Sequence, residues 1–228
     1  MKPKDLKYPF PWSERRMLIQ DRIWYVPDHY EHYDLHSFPG WDHKELFGND
    51  KPVKIEYCSG NGTWIIDKAI NHPEYNWVAV EKMFERVRKL WAKMKNRRVP
   101  NLVILAGEGY TATKHYIPSN SVDEIFVNFP DPWPKDRHAK HRIIQPKFVQ
   151  EMQRILAPEK TAMLVTDDVD YSGIMVEEML SAKGFSPCYE APYFRHEHEG
   201  YGTSFFEELW RSKGKKIHYH QFKKVPCE

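Results

Sequence analysis

A doubly wound α/β fold with a mostly parallel sheet is the class this sequence predicts, and three observations predict it. Short apolar runs bounded by polar residues alternate with stretches of helical spacing from residue 53 onward. An acidic residue stands at or just past the end of five successive strand-like runs: Glu56, Glu81, Glu108, Asp131 and Asp167. The run Asn128-Phe129-Pro130-Asp131-Pro132-Trp133-Pro134-Lys135 follows an apolar strand directly. Its three prolines fix φ and remove three N–H donors, so neither helix nor ladder continues. What remains is a stiff turn that holds Asp131 and Trp133 at the carboxyl end of a strand, the edge where open α/β sheets bind ligands.

The elements follow in order. Residues 1–46 carry Pro9, Pro11, Pro27 and Pro39 in a stretch rich in Tyr, Trp and His. They read as an arm with little regular structure, and its aromatics (Phe10, Trp12, Trp24, Tyr25, Tyr30, Tyr33) read as anchors on the domain or as stacking surfaces for bases. Residues 47–228 read as one domain with seven strands, at 53–57, 76–80, 101–105, 122–127, 161–165, 185–190 and 216–222. Helices are expected at 63–72, 84–98, 111–116, 145–156 and 171–182, with Gly184 as a C-cap glycine. In the second helix Val87, Leu90, Trp91 and Met94 form the apolar face and basic residues the outer one. No internal repeat or low-complexity segment interrupts the pattern.

Composition bounds the rest. The 228 residues are 41% hydrophobic and 29% charged, which suits one well-buried soluble domain. No apolar run reaches the length of a membrane span, and Met1-Lys2-Pro3-Lys4-Asp5 lacks a signal-peptide core. Cys58, Cys188 and Cys227 have neither metal-ligand spacing nor an even framework, so no metal is expected and a reduced cytoplasm is the expected setting. Net charge is only +2, but it is unevenly placed. Residues 131–147 hold five Lys/Arg against two Asp, and residues 211–224 hold six Lys/Arg and no acid. Such clusters are either solvated surface or phosphate contacts.

The turn after the first strand, Glu56-x-x-x-Gly60-x-Gly62, is of the glycine-loop type that lets a backbone approach a nucleotide and starts a helix with an electropositive end. Glu81 is placed to grip a ribose diol. The loop lacks the first glycine of the dinucleotide fingerprint, and an acidic rim suits a cationic cofactor better than a pyrophosphate. S-adenosylmethionine, with its sulfonium and ammonium groups, is such a cofactor.

Glu56-Tyr57-Cys58-Ser59-Gly60-Asn61-Gly62, Glu81, Glu108, the proline turn and Arg137-His138-Ala139-Lys140-His141-Arg142 together resemble the bacterial tRNA (guanine-N7)-methyltransferases. The resemblance runs from about residue 47 to the C-terminus, and the proline turn followed by the basic-His cluster is its most specific part. It implies a Rossmann-like methyltransferase that methylates N7 of the variable-loop guanine 46 of tRNA; the sequence is compatible with either a monomer or a homodimer. It implies further that Glu56, Gly60, Gly62, Glu81, Glu108 and Asp131 bind S-adenosylmethionine, with Asp131 also catalytic. Lys135 and Asp167 would contact the substrate, as would Ser204, Phe205, Phe206 and Glu207. Arg137, His138, Ala139, Lys140, His141 and Arg142 would meet the RNA. Three departures stand out: Cys58 replaces a loop glycine, Glu108 a more frequent Asp, and Ser204 the family's Thr.

The chemistry agrees with that reading. Guanine N7 carries a lone pair and no proton, so transfer needs alignment rather than a strong base, and positioning contributes about 7–11 kcal/mol. Trp133 either stacks on a base or braces the turn. Other readings are a methyltransferase acting on another RNA or a small molecule, and a non-catalytic RNA-binding protein on a degenerate methyltransferase fold. A nicotinamide-dependent oxidoreductase is disfavoured by the incomplete fingerprint.

Overall fold

In a computed structural model the described residues are 1–27 and 32–226, with the side chains of Trp12 and Asp136 left out. They form nine strands and six α-helices, grouped in two compact units, Met1–Ile117 and Pro118–Glu228. The α/β class with mostly parallel strands stands as expected, but the strand count rises from seven to nine.

The two additional strands lie in the stretch read as irregular. β1 (Leu18–Gln20) and β2 (Ile23–Val26) form a hairpin, and β2 continues the first unit's sheet by pairing in parallel with β5 (Leu102–Gly107). β5 pairs with β4 (Asn76–Glu81), and β4 with β3 (Val53–Tyr57), all in parallel. The hairpin turn holds Asp21 at φ 55° and Arg22 at φ 62°. Left-handed conformation costs roughly 1–2 kcal/mol for each such residue. All four side chains of β2 are buried, at about 1.5–3 kcal/mol each, so burial wins and the turn is carried by its strand.

Three helices complete the first unit: α1 (Thr63–Asn71), α2 (Phe84–Asn96) and α3 (Gly109–Tyr116). α2 buries Val87, Leu90, Trp91 and Met94, the face its spacing predicts. The N-terminal stretch is tied to α2: Arg88 donates to the Leu6 carbonyl at 3.1 Å, and the Trp91 indole donates to Asp21 at 2.7 Å. Trp24 and Tyr33 of the arm are anchors here, and the Trp12 side chain lies outside the described residues. Trp24 is fully buried, stacked on Phe38 at 5.1 Å, and Tyr33 stacks on His115 at 3.9 Å. Tyr30 and Cys227 lie outside the described residues.

In the second unit β6 (Val122–Asn128) pairs in parallel with β7 (Leu156–Thr166). β9 (His218–Lys224) lies antiparallel between β7 and β8 (Phe185–Pro187). α4 (Pro146–Ile155) begins with a proline, whose missing N–H costs nothing at a helix start, and buries Phe148, Val149, Met152 and Ile155. α5 spans Val169–Ser181, and α6 spans Phe205–Ser212. Gly184 does not form the expected C-cap, because α5 ends at Ser181 and its C-cap residue is Ala182, in extended conformation. Its missing side chain serves packing instead, since a Cβ there would lie 1.5 Å from the Gln153 amide nitrogen.

Candidate functional site

In the first unit the carboxyl ends of β3, β4 and β5 carry Glu56, Glu81 and Glu108. Glu56 is buried within β3, and the strand continues to Tyr57 before the chain turns. Cys58 then takes φ 64°, Gly60 φ 56° and Gly62 φ 70°. Three left-handed residues in five fold the loop back on itself and launch α1 from Gly62. Gly62 is also needed for space, because a Cβ would sit 2.5 Å from Leu90 of α2. The Cys58 side chain is therefore carried in a conformation that suits glycine, as its place in the loop suggested.

Glu81 ties this loop to the next. One carboxylate oxygen accepts the Gly60 amide at 2.8 Å and the other accepts the Met83 amide at 2.7 Å. Arg86 lies 3.9 Å away. Burial raises the Glu81 pKa above the usual carboxylate range, against the opposing pull of those amides and of Arg86. Glu108 caps α3, accepting from Tyr110 at 3.1 Å and Thr111 at 2.7 Å. That satisfies two of the helix's orphan donors and puts negative charge at its positive end. Below Glu108, the Thr113 hydroxyl donates to the Gly109 carbonyl at 2.6 Å, so the Tyr57 hydroxyl donates to Thr113, also at 2.6 Å.

Beside these strand ends lies a cavity of about 410 Å³, lined chiefly by Tyr8, Phe10, Val26, Lys82, Phe84 and Gly107. Its aromatic wall comes partly from the N-terminal stretch: Tyr8 meets Phe84 edge-on at 4.9 Å and Phe10 at 5.1 Å. Sequence reasoning missed Tyr8, and the signal lay in the alternate aromatic positions Tyr8 and Phe10 ahead of a buried apolar run. An apolar slot next to buried acids fits a flat heteroaromatic ring with a polar, partly cationic tail.

In the second unit the proline turn leaves β6 with Phe129 at φ 46° and Trp133 at φ 44°. Phe129 donates its amide to the Val165 carbonyl at 2.9 Å, which locks the turn onto β7. Asp131 and Lys135 are exposed. Residues Asp136–His141 form a 3₁₀ helix, with Arg137, Lys140 and His141 exposed and His138 and Ala139 half-buried. Arg142 points inward, its guanidinium donating to the carbonyls of Pro132 at 2.8 Å and Trp133 at 3.0 Å.

Asp167, at the end of β7, pairs with Lys215, and Asp168 caps α5 by accepting from Tyr171 at 2.8 Å. Ser204 caps α6, accepting the Glu207 amide at 3.1 Å. Phe205 is exposed, and Phe206 lies 6.1 Å from Phe129, beside the proline turn. Glu207 is buried, and one of its oxygens accepts from Arg211 at 3.0 Å and from the Tyr219 hydroxyl at 2.6 Å. Burial and the bond to Glu207 push the Tyr219 phenol up. Burial works against the Arg211 charge, but hydrogen bonds to Tyr219 and Glu207 raise its pKa further. Within the second unit the structure thus gathers Asp131, Trp133 and the basic turn, with Phe206 adjoining through Phe129. Among the described residues no group of His, Cys, Asp and Glu could hold a metal ion, and no helix is long and apolar enough to cross a membrane.

Known proteins place this arrangement. Residues 50–220 match the family described as "Putative methyltransferase". A tRNA (guanine-N(7)-)-methyltransferase of Chlamydia felis is 48% identical over 98% of both chains, and that of Chlamydia caviae is 46% identical over the same share. The crystal structure of the 16S rRNA methyltransferase KamB superposes with a TM-score of 0.60 at 16% identity, covering 84% of this chain and 96% of that one. At that identity the likeness speaks to the fold alone, and the fold is that of a Rossmann-like methyltransferase. With its near-full-length relatives, this chain belongs to the tRNA (guanine-N(7)-)-methyltransferase family.

Proposed function

We propose that this chain is an S-adenosylmethionine-dependent methyltransferase acting on N7 of guanine 46 in the variable loop of tRNA, in the cytoplasm. The observation that carries the reading is the proline turn. It presents exposed Asp131 and Trp133 at the end of β6 and runs directly into a basic 3₁₀ helix. That juxtaposes a carboxylate, an aromatic ring and cations suited to phosphates.

The strand ends of the first unit fit the cofactor. Glu81, fixed by two backbone amides, faces a ribose diol as an acceptor, while Glu56 and Glu108 supply negative charge for a cationic tail. Gly60 and Gly62 let the loop backbone come close, and the cavity beside Tyr8 and Phe84 takes the base. S-adenosylmethionine, when bound, supplies a methyl on a sulfonium centre. Asp131 accepts from the guanine N1–H/N2–H edge and stabilises the positive charge that develops on the purine as the N7 lone pair becomes a third σ bond, to the methyl, while the sulfur–methyl bond breaks and its electron pair stays on sulfur. Lys135, Arg137 and Lys140 meet phosphates, and Phe205, with its ring in solvent, adds substrate contact. Asp167 and Glu207 orient the surrounding cations Lys215 and Arg211.

The test is methyl transfer from labelled S-adenosylmethionine to unmodified tRNA, with the product nucleoside identified. We expect 7-methylguanosine with wild type, its loss with Asp131→Asn in a folded protein, and no product on a tRNA whose guanine 46 is replaced. Wild-type transfer to the replaced tRNA would move the target elsewhere.

A further inference from the structure

Trp133 is a large aromatic side chain that the fold keeps out of the core, with 37% of its surface exposed. Its φ of 44° is a conformation that bulky residues rarely adopt. Strain of this kind persists only where the surroundings over-determine it, and it collects at functional positions. Here the surroundings are explicit. Pro132 and Pro134 fix φ on either side of Trp133. The Arg142 guanidinium then spans two consecutive carbonyls, donating through Nε to Pro132 at 2.8 Å and through Nη2 to Trp133 at 3.0 Å.

Arg142 is itself held from behind. Its guanidinium lies 5.9 Å from the Tyr171 ring centroid, and that buried ring accepts the Ile144 amide at 3.3 Å through its hydroxyl. A planar fork can bridge two carbonyls; the ammonium of a lysine is a point charge on a flexible stem and cannot reproduce that geometry. On the outer side, the His138 ring stands edge-on to Trp133 at 5.7 Å and the His141 ring lies tilted at 5.1 Å. Lys135, Arg137 and Lys140 are exposed around them.

We propose that Trp133 is a stacking platform for an unstacked nucleobase of the RNA substrate, and that Arg142 is the positioning residue that holds it out. The proposal rests on the RNA-methylation reading above. A single ring framed by cations suits a base with its flanking phosphates, because every base offers a π-face and every linkage a negative charge. It also divides the basic cluster. Arg142 is spent on the protein's own backbone, and phosphate contact falls to Lys135, Arg137 and Lys140.

The experiment measures tRNA affinity against salt concentration, together with methyl transfer, for wild type, W133F, W133L, R142K, R142Q and R137Q, each checked by thermal melting. W133L should lose roughly 5- to 150-fold in tRNA affinity, the range for one stacked base, and W133F should keep most of it. R142K and R142Q should both weaken binding and leave the slope of log affinity against log salt unchanged. R137Q should reduce that slope by about 0.7–0.9. The stacking role is overturned if W133L binds like wild type, or if W133F loses as much as W133L. The positioning role is overturned if R142Q reduces the salt slope as R137Q does, since Arg142 would then meet a phosphate. If wild type binds tRNA but forms no 7-methylguanosine, the proposed function fails while the binding arms still decide the roles of Trp133 and Arg142.

Discussion

Glu81 accepts the amide of Gly60 at 2.8 Å across the gap between the ends of β3 and β4. The acid proposed to grip the ribose is therefore also the strut that shapes the glycine loop. Its second oxygen is occupied by Met83, so the carboxylate is fixed before any ligand arrives. Glu81→Gln keeps one acceptor oxygen and loses the other together with the charge. Hydrogen bonds to a charged group contribute about 1.5–3 kcal/mol, so cofactor affinity should fall roughly 10- to 150-fold. The fold should lose less, because burial already disfavours this charge. Calorimetric titration with S-adenosylmethionine checks this, and undiminished affinity in E81Q would remove Glu81 from the cofactor site.

Cys58 gives a second prediction. At φ 64° its side chain costs roughly 1–2 kcal/mol relative to glycine in the same conformation. Glycine in turn makes the unfolded chain more flexible, at about 0.5–1 kcal/mol. Strain exceeds entropy, so Cys58→Gly should stabilise the protein by up to about 1.5 kcal/mol in urea unfolding, and Cys58→Ala should not. A clear destabilisation by C58G would mean that the thiol contributes packing that outweighs its backbone conformation.

Much of this was legible in the sequence because strong local signals carried it. β3, β4, β5, β6 and β7 are apolar runs closed by an acid or a turn, and all five appear in the structure. Cys58 betrayed its backbone by standing where a glycine belongs. β2 was hidden because its four residues, Ile23 to Val26, owe their state to pairing with β5 rather than to any period of their own. α6 is absent from the expected helices, although Ser204-x-x-Glu207 has the spacing of a helix start, and Ser204 does cap it. Arg142 could not be separated from its basic neighbours by composition, since only the folded turn shows that it faces Pro132 and Trp133.

Gly107 closes β5 against β2, and a Cβ there would lie 2.4 Å from the Val26 carbonyl oxygen and 3.0 Å from the Val26 Cβ. Backbone cannot yield as a flexible side chain does. Gly107→Ala should therefore destabilise by about 1–3 kcal/mol and push β2 away from β5. Because Gly107 and Val26 both line the cavity, S-adenosylmethionine affinity should fall in the same variant. Thermal melting read beside calorimetry makes the check. An unaltered melting temperature would show that β2 can move aside freely, and the arm would then be a weak wall.

Acid stability rests on a buried chain of groups in the second unit. Two histidines share the Ser172 hydroxyl, His218 at 2.7 Å and His220 at 3.0 Å, and His220 Nδ1 lies 3.0 Å from the Tyr193 carbonyl. A carbonyl only accepts, so His220 Nδ1 donates to it. His220 Nε2 then accepts the Ser172 proton, and Ser172 accepts from His218 Nδ1. Burial pulls the His220 pKa down to about 4, with the Tyr193 carbonyl opposing and nearby His218 adding to the shift. His218 is lowered too, by burial and then by His196. The unfolded chain takes up a proton near the ordinary value of 6.5, and the folded chain resists until about 4. The His220 contribution should thus be full above pH 6.5, fall by about 3 kcal/mol as pH drops through that window, and level off below it. His220→Gln can still donate to Tyr193 and accept from Ser172, yet it does not titrate, so its urea-unfolding stability should vary less between pH 7 and 4.5. Parallel curves for wild type and H220Q would place the acid sensitivity in other groups.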